Sequence, residues 1–362
     1  MEQIFNDIAI PISWPDQTAL GDEKWMALLK KAGIVSNLNF KVGHAAILLI
    51  ERSSGRILYY DFGRYLCPRG YGRTRSVEFD PRLAITTTAI FNHRDELTNM
   101  EELLKELYRK EPATHGGGRL LFSICRNISF PAGVKYADQL VNQGPVLYGA
   151  LARNNNSCSR FVAQVMAAAM DRKDTRIRKL FYPECLKASP TSNVVNATPD
   201  NHVYCYHDHQ LSSQVMSRMR SLRFQLSLLK DNFTKEGSKK MGCDSKPGLM
   251  EAPPKPAMVP EKAQWLGGIG EGAWFHVAEA EATLYKIYKF NCMGQEEYHV
   301  KVSSSHKLDL DLPYAFTFHF IYKKYSIFQD GRVCILTSAD PDTEKADLKN
   351  QSNQLLNAEI CN

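Results

Sequence analysis

Cys158 is the residue of this sequence whose type and position are best suited to covalent chemistry. It follows Ser157, a favourable helix N-cap residue, and opens a dense apolar run that begins at Phe161, so a buried helix is predicted over residues 158–170. Unsatisfied backbone N–H groups and the helix dipole stabilise a thiolate at such an N-terminus and lower the thiol pKa. The sequence therefore predicts that Cys158 is a nucleophile, whereas the other eight of its nine cysteines are expected to be packing or surface residues.

A cysteine nucleophile needs a base, and His44 is the candidate. It lies between the small residues Gly43 and Ala45 at the start of a predicted strand, and a hairpin turn precedes a second strand that ends near Asp61. Antiparallel pairing would place His44 and Asp61 roughly opposite each other on one face of the sheet. An orienting carboxylate beside the imidazole would complete a Cys–His–Asp site. A register shifted by one residue would instead place Tyr60 beside His44.

Apolar periodicity and turn residues predict the elements that must carry these side chains. Strands are predicted at residues 8–13, 84–91 and in the two arms of the hairpin, 43–50 and 57–60. Helices are predicted at 22–31, where Asp22 can cap, and at 99–109, 158–170 and 211–233. The last helix has a basic face, which is expected to be solvated rather than bound to a membrane.

The order and local sequence of these residues resemble a known family. The strand segment Gly43-His44-Ala45-Ala46 and the later helix start Asn156-Ser157-Cys158-Ser159-Arg160 resemble the circularly permuted branch of the papain-like cysteine hydrolases, in a bacterial lineage. That branch includes NlpC-type and lecithin:retinol-acyltransferase-like enzymes, and the resemblance covers roughly residues 8–170. It implies Cys158 as the nucleophile, His44 as the general base and Asp61 as the third polar residue. Many relatives carry His or Glu at that third position, so Asp61 departs from their pattern.

An arginine- and tyrosine-rich loop directly follows Asp61 and is the predicted substrate-binding segment. Its arginines could hold a carboxylate or phosphate through bidentate hydrogen bonds, although an ordinary cationic loop has the same composition. The backbone N–H of Cys158 is the predicted oxyanion donor, and the side chain of Asn155 or Asn156 could add a second donor. The predicted substrate-binding residues are Arg64, Tyr65, Arg69, Tyr71 and Arg73 in the loop, together with Asn156 and His115.

Patterns for metal or nucleotide chemistry are weaker. Histidine, cysteine and aspartate cluster between His202 and His209, but their spacing matches no recognised zinc pattern. The glycine-rich run at 267–272 follows a proline-rich segment rather than a predicted strand, so it is interpreted as a tight turn leading into a β domain and not as a phosphate-binding loop. No metal and no cofactor are therefore expected.

Composition divides the chain into two predicted domains. An α+β domain at residues 1–233, with the antiparallel sheet packed on helices that the papain-like resemblance implies, carries the site and ends in a helical extension. Five of the seventeen prolines lie between residues 234 and 263, which is typical of a linker. Short alternating strands predict a small, mostly β domain at 264–340, followed by a polar tail at 341–362.

Net charge and cysteine spacing restrict the partners and the compartment. A net charge of +6 and a pI of about 8.7, without a clustered basic patch, do not indicate nucleic acid binding. The cysteines contain no CxxC pair, which favours a reducing compartment. The first residues lack the pattern of a signal peptide, and no window of about 18 apolar residues occurs, so a cytoplasmic protein with no membrane span is predicted.

These features predict a thiol-dependent hydrolase that cleaves an amide, peptide-like bond through an acyl-enzyme intermediate. Two alternatives remain at this point. An acyltransferase or thioesterase acting on lipid or acyl substrates would use the same residues, and a non-catalytic binding or scaffold protein could be built on the same frame. The C-terminal β domain is expected to bind substrate or a protein partner.

Overall fold

The computed structural model describes residues 4–149, 154–244, 248–281, 283–304 and 306–338, and these form two compact units. Unit 1 holds the described residues up to Pro253 together with Gly267–Gly272, and unit 2 holds Pro254–Leu266 and those from Ala273 onward. The predicted polar tail at 341–362 lies outside the described residues. The mixed α+β, two-domain class predicted from the sequence is confirmed.

The strands of unit 1 form one large antiparallel sheet and one small one. The strands are β1 Asp7–Trp14, β2 Ala19–Leu20, β3 Asn39–Phe40, β4 His44–Ile50, β5 Ile57–Gly63, β6 Tyr71–Arg75, β7 Leu120–Phe122, β8 Cys125–Ile128, β9 Val146–Leu147, β10 His202–His207 and β11 Gln210–Val215. Within the described residues the large sheet has the order β11-β10-β7-β1-β4-β5-β6-β9, with β8 also paired to β1, and β2 pairs with β3 separately.

Helices surround this sheet. They are α1 Lys24–Lys31, α2 Met100–Arg109, α3 Glu111–Thr114, α4 Phe130–Gln143, α5 Cys158–Ala169, α6 Thr175–Phe181, α7 Pro190–Asn196, α8 Arg218–Leu229 and α9 Lys235–Lys239, with 3₁₀ turns at Pro81–Leu83 and Lys230–Phe233. None of the helices within the described ranges is long and apolar enough to cross a bilayer.

The core of unit 1 lies on both faces of β1 and β4. Ile10 and Leu48 face the apolar stripe of α2, which includes Leu103. Leu49 faces the other way, towards Gly133 of α4, where an added Cβ would lie only 3.0 Å from the leucine side chain. Because both faces are covered, the two strands are apolar at nearly every position rather than at every second one.

Unit 2 is a seven-stranded antiparallel sheet. Its core includes Phe275, Ile287 and Tyr325, all fully buried. The side chain of Gln264 accepts from Phe316 N–H at 2.9 Å and so links the first strand of the sheet order to the last. The strands are β12 Gln264–Leu266, β13 Ala273–Glu281, β14 Leu284–Phe290, β15 Glu296–Ser304, β16 Ala315–Phe316, β17 Lys324–Gln329 and β18 Arg332–Ser338, in the order β12-β13-β14-β15-β18-β17-β16.

The prediction of a strand at 84–91 is wrong, because backbone N–H groups of this segment bond to a side chain and not to a neighbouring strand. The carboxylate of Glu106, on α2, accepts the backbone N–H groups of Thr86 and Thr87 at 2.8 Å each and their hydroxyl groups at 2.9 and 2.6 Å. A buried side chain thus satisfies donors that a neighbouring strand would otherwise take. The segment is an irregular connection packed against α2.

The single helix predicted at 211–233 is also wrong. Its first residues form β11, which pairs with β10 from Val215↔His202 to Gln210↔His207. The helix α8 starts only at Arg218, where the Ser217 hydroxyl accepts the backbone N–H of Arg220. The helix predicted at 22–31 is α1, but its N-cap residue is Glu23 and not Asp22.

The interval expected to be a linker, 234–263, differs from that expectation over its first half. It begins with α9, and Asp244 accepts the ammonium of Lys30 at 2.6 Å and the backbone N–H of Leu38 at 2.5 Å. These polar contacts bind the segment to unit 1 although it holds few large apolar residues. The boundary between the units lies after Pro253, where the prolines become dense.

Candidate active site

The backbone directly before β4 places His44. Gly43 has φ +79°, a conformation that side-chain-bearing residues rarely adopt, and an added Cβ would lie 2.9 Å from the carbonyl oxygen of Trp14. His44 then begins β4 and pairs with Trp14 of β1. Gly43 is therefore needed both for this backbone conformation and for the close approach to Trp14 at the end of β1.

Asp61 reaches His44 diagonally across the hairpin. The register pairs Ala46 with Asp61, so His44 lies two residues further along the same face. The distance from His44 Nε2 to Asp61 Oδ2 is 3.4 Å. Tyr60 points elsewhere and donates its hydroxyl to Asp138 at 2.8 Å, so the structure places Asp61 and not Tyr60 beside the imidazole.

Helix α5 presents Cys158 to the same imidazole. The Ser157 side chain caps the helix by accepting the backbone N–H of Arg160 at 3.3 Å, as the sequence predicts. Cys158 is the first helical residue, is partly exposed, and is hydrogen-bonded to His44 and to the backbone N–H of Ala45. Because Nε2 of His44 is directed at Asp61, Nδ1 is the ring nitrogen available to the sulfur.

The three groups shift one another's pKa values. Burial disfavours the imidazolium, but hydrogen bonds and charge from Asp61 and Cys158 outweigh it and raise the pKa of His44 to about 9. Burial also opposes ionisation of Cys158, yet its hydrogen bond to His44 and the imidazolium charge lower its pKa. The arrangement favours a thiolate and imidazolium pair over two neutral groups.

Asp61 is held ionised by a buried arginine. Burial alone would raise its pKa, but the charge of Arg75 lowers it to about 2. Arg75 donates Nη2 to Oδ2 at 2.5 Å and Nε to Oδ1 at 2.9 Å, while the Tyr59 hydroxyl donates to Oδ2 at 2.8 Å. All three side chains are almost inaccessible to solvent. This fork of hydrogen bonds fixes the carboxylate that faces His44.

Aromatic rings enclose the imidazole. The Trp14 indole lies nearly parallel to it, with ring centroids 5.7 Å apart and planes 9° apart. The Tyr65 ring meets it edge-on, and the Tyr65 hydroxyl lies 3.5 Å from Nε2. A Cβ at Gly63 would lie 2.1 Å from the Tyr65 ring, so the glycine leaves room for it. These rings restrict the orientation of His44 and limit its contact with water.

Glu271 extends the charge network from a distant part of the chain. Its carboxylate lies 3.3 Å from Arg75 Nη1, 2.7 Å from Arg82 Nη2 and 3.4 Å from His115 Nε2. Its carbonyl oxygen accepts the backbone N–H of Leu66 at 3.0 Å. Alternating charges therefore run from His44 through Asp61 and Arg75 to Glu271 in unit 1.

The glycines around Glu271 permit this approach. A Cβ at Gly268 would lie 2.7 Å from Leu66 N, and one at Gly270 would lie 2.8 Å from the Tyr65 ring. The interpretation of residues 267–272 as a turn leading into the β domain is therefore wrong, since they belong to unit 1. The sequence does not predict Glu271, Tyr59 or Trp14 as site residues. It predicts Arg75 as a cation of the arginine-rich loop and not as the buried partner of Asp61. Only the glycine-rich run beside Glu271 signalled an unusual backbone there.

A cavity of about 310 Å³ opens beside the sulfur. Cys158, His44, Arg64, Tyr65, Tyr148 and His115 contribute to its lining. Three of the predicted substrate-binding residues, Arg64, Tyr65 and His115, therefore share the cavity with the predicted nucleophile. His115 stacks on Tyr65 with ring centroids 4.5 Å apart, and burial lowers its pKa.

The other four predicted substrate-binding residues lie outside this cavity lining. Arg69 is exposed and holds Asp22 at 2.5 Å, while Tyr71 is an exposed residue at the start of β6. Arg73 is buried, donates to the Leu66 carbonyl oxygen at 3.1 Å and stacks over Phe79. These contacts hold the loop in place rather than presenting a row of cations.

The asparagines before the nucleophile are also engaged elsewhere. Asn156 donates its amide to Gln164 at 3.2 Å, and Asn155 donates to the Tyr148 carbonyl oxygen at 3.1 Å. The suggested second oxyanion donor from these side chains is therefore not formed in this structure. Within the described ranges, no group of three or more His, Cys, Asp or Glu side chains is arranged to hold a metal ion.

Two regions of the chain match known protein families. Residues 9–175 match a family described as Type VI secretion system effector TseH-like, and residues 263–339 match the DUF6695 C-terminal domain. Each match spans less than half of the chain. The first contains His44, Asp61 and Cys158, and the second covers nearly the residues predicted as a β domain.

One solved structure is similar to the chain, the crystal structure of the Type VI secretion system effector TseH. The sequence identity is 19 % and the TM-score is 0.39, over 58 % of this chain and 98 % of that one. No curated protein sequence matches the chain.

Proposed function

We propose that the chain is a thiol-dependent hydrolase of amide, peptide-like bonds, with Cys158 as nucleophile, His44 as acid and base, and Asp61 as the group that orients His44. The observation that carries the proposal is the hydrogen-bonded Cys158 and His44 pair, backed by a buried carboxylate and open to a cavity. Nucleophile, base and orienting group stand in the relation that acyl transfer requires.

The proposed reaction has two halves. The Cys158 sulfur attacks the carbonyl carbon, and His44 gives its proton to the leaving nitrogen as the C–N bond breaks, which leaves a thioester. Water then attacks the thioester, His44 accepts a proton from it, and the thiolate leaves as the carboxylic acid is released. The backbone N–H of Cys158 is the proposed donor to the oxyanion.

The family match supports an effector role for this hydrolase. The family that matches residues 9–175 is described as effectors of a Type VI secretion system, and an effector acts after it leaves the cell that makes it. We extend the effector role and the export to this chain. An exported protein differs from the cytoplasmic protein expected from the sequence. The test is to measure the chain in the culture medium. We expect it there for cells with a working Type VI secretion system and not for cells without one. Binding of substrate or a partner by unit 2 stays a prediction.

Thiol labelling tests the proposed site directly. We expect iodoacetamide to alkylate Cys158 first at neutral pH, because its pKa is lowered, whereas burial raises the pKa of Cys67 to about 11 and also raises that of Cys205. The His44→Ala variant should slow labelling of Cys158 by about tenfold or more, because the thiol loses its imidazolium partner. Mass spectrometry of peptides after timed labelling gives each rate.

Turnover is measured on a set of peptide p-nitroanilides and acyl thioesters. Cys158→Ala should abolish it, and Cys205→Ala, which removes a cysteine of β10, should leave it unchanged. Slow and uniform labelling of several cysteines would contradict the proposal. Turnover of thioesters without any amide hydrolysis would favour the acyltransferase or thioesterase alternative.

A further inference from the structure

Arg64 is a largely buried cation whose guanidinium has no anionic partner among the described residues. Only 9 % of the residue is exposed, and the guanidinium carbon lies 4.7 Å from the centre of the Tyr148 ring. Within the described ranges it forms no ion pair and no side-chain hydrogen bond. The neighbouring Arg75 is also buried, but it is paired with both Asp61 and Glu271.

A buried charge without a counter-charge is costly, and stacking on an aromatic ring offsets only part of that cost. Arg64 lines the same cavity as Cys158 and His44, and Tyr148 forms part of the same wall. Its charge therefore remains available at the point where a substrate would meet the sulfur. The guanidinium presents a planar fork that fits a carboxylate through two parallel hydrogen bonds.

We propose that Arg64 binds a carboxylate of the substrate next to the scissile carbonyl, so that the preferred substrates are amides that carry an anionic group beside the bond to be cleaved. This inference rests on the proposed function. A monoanion is favoured over a phosphate monoester, because Arg64 and the His44 imidazolium are the cations among the described lining residues, and His44 is already balanced by Asp61 and the sulfur.

Two alkylating reagents with the same reacting carbon test this assignment. In each, the Cys158 sulfur forms a bond to the methylene carbon while iodide leaves, but iodoacetate carries a carboxylate where iodoacetamide carries a neutral amide. We expect Arg64→Gln to lower the ratio of the iodoacetate rate to the iodoacetamide rate at Cys158 by about tenfold, the loss expected for one charge-assisted pair. The iodoacetamide rate of the variant shows independently that the site is intact.

Matched variants and ligands sharpen the measurement. Arg172→Gln removes an exposed arginine that follows the far end of α5 and should leave the ratio unchanged. Arg64→Lys keeps the positive charge but lacks the two parallel N–H donors of the guanidinium. It should therefore retain part of the preference for iodoacetate over iodoacetamide. This variant also gives a measurement if Arg64→Gln fails to fold. N-acetylglycine should protect Cys158 from iodoacetamide in the wild type and not in Arg64→Gln, whereas its neutral amide and inorganic phosphate should not protect.

The outcomes separate this inference from the function on which it rests. Rapid labelling of Cys158 with an unchanged reagent ratio in Arg64→Gln would overturn the carboxylate site and leave the hydrolase proposal standing. Protection by phosphate but not by N-acetylglycine would overturn the carboxylate assignment. A wild type in which Cys158 is no more reactive than the other cysteines would overturn both.

Discussion

At the scale of single residues, the charge states of Cys158, His44 and Asp61 depend on one another. The imidazolium persists up to the His44 pKa of about 9, and the thiolate forms above the lowered pKa of Cys158. The reactive ion pair therefore exists in the window between these two values. Hydrolysis that needs His44 as a proton donor should decline as the pH rises through about 9.

The Asp61→Asn substitution should narrow this window from both sides. Asp61 raises the pKa of His44 through a hydrogen bond and its charge, so its loss lowers that pKa and weakens the imidazolium that stabilises the thiolate. The pH midpoint of Cys158 alkylation by iodoacetamide should rise by about one unit, and the alkaline limb of turnover should move down.

The matched control is Asp138→Asn, which removes the carboxylate bonded to Tyr60 on the same strand. This variant should keep the wild-type midpoint. A shift in Asp138→Asn without one in Asp61→Asn would show that Tyr60 and its partner, and not Asp61, act on the imidazole.

At the scale of elements, the site depends on the start of β4 after Gly43, on one hairpin register and on one helix start. Local sequence predicts a small residue, Gly43, beside His44, a hairpin with two apolar arms, and a helix capped by Ser157. It leaves the hairpin register open between Asp61 and Tyr60. Both arms are apolar at nearly every position, so only the observed pairing of Ala46 with Asp61 decides the face on which Asp61 lies. Elements fail to follow their local pattern where a distant side chain intervenes, as Glu106 does for the segment at 84–91.

The Glu106→Ala substitution should destabilise unit 1 by about 3 kcal/mol, because two backbone N–H groups and two hydroxyls lose a buried charged acceptor. Burial opposes its ionisation, but the hydrogen bonds of Thr86 and Thr87 lower the Glu106 pKa, so this contribution is lost as the pH falls through that lowered value. Urea unfolding at neutral pH measures the loss.

Lys105→Ala, on the exposed face of the same helix, serves as the comparison. It loses an i,i+4 ion pair with Glu101 and should leave the free energy of unfolding nearly unchanged. Equal losses in the two variants would show that helix α2, rather than the connection at 84–91, is what the glutamate stabilises.

At the scale of the whole molecule, the charge network of the site includes a residue far away in the chain. No local pattern could predict that Glu271 would lie against Arg75 and Arg82, because each of these contacts is formed by tertiary folding alone. For the same reason the sequence does not show that Arg64 lines the cavity whereas Arg73 and Arg69 are bonded elsewhere. All three lie in the arginine-rich segment after Asp61, and only the fold shows that Arg73 is part of β6 and that Arg73 and Arg69 are already engaged.

The Glu271→Gln substitution should loosen unit 1 and leave unit 2 as it is. Arg75 and Arg82 lose a shared charged partner, which should cost about 2 kcal/mol. Hydrogen exchange followed by mass spectrometry should show weaker protection over β5 and β6, at 57–75, and unchanged protection over β14 and β15, at 284–304.

Glu261→Gln, an exposed glutamate of unit 2, should change neither region. Loss of protection confined to 284–304 in Glu271→Gln would contradict the assignment of Glu271 to the charge network of the site.

The position of residues 267–272 in the sequence determines when, during synthesis on the ribosome, the site can be completed. Cys158, His44 and Asp61 are all synthesised more than a hundred residues before Glu271. At about 5–20 residues per second, the growing polypeptide therefore carries its nucleophile for roughly 6 to 23 s before the glutamate beside Arg75 has been made. A nascent chain stalled anywhere in that interval has the reacting groups without the completed network, so full assembly of the site waits for the translation of β12 and the six residues that follow it.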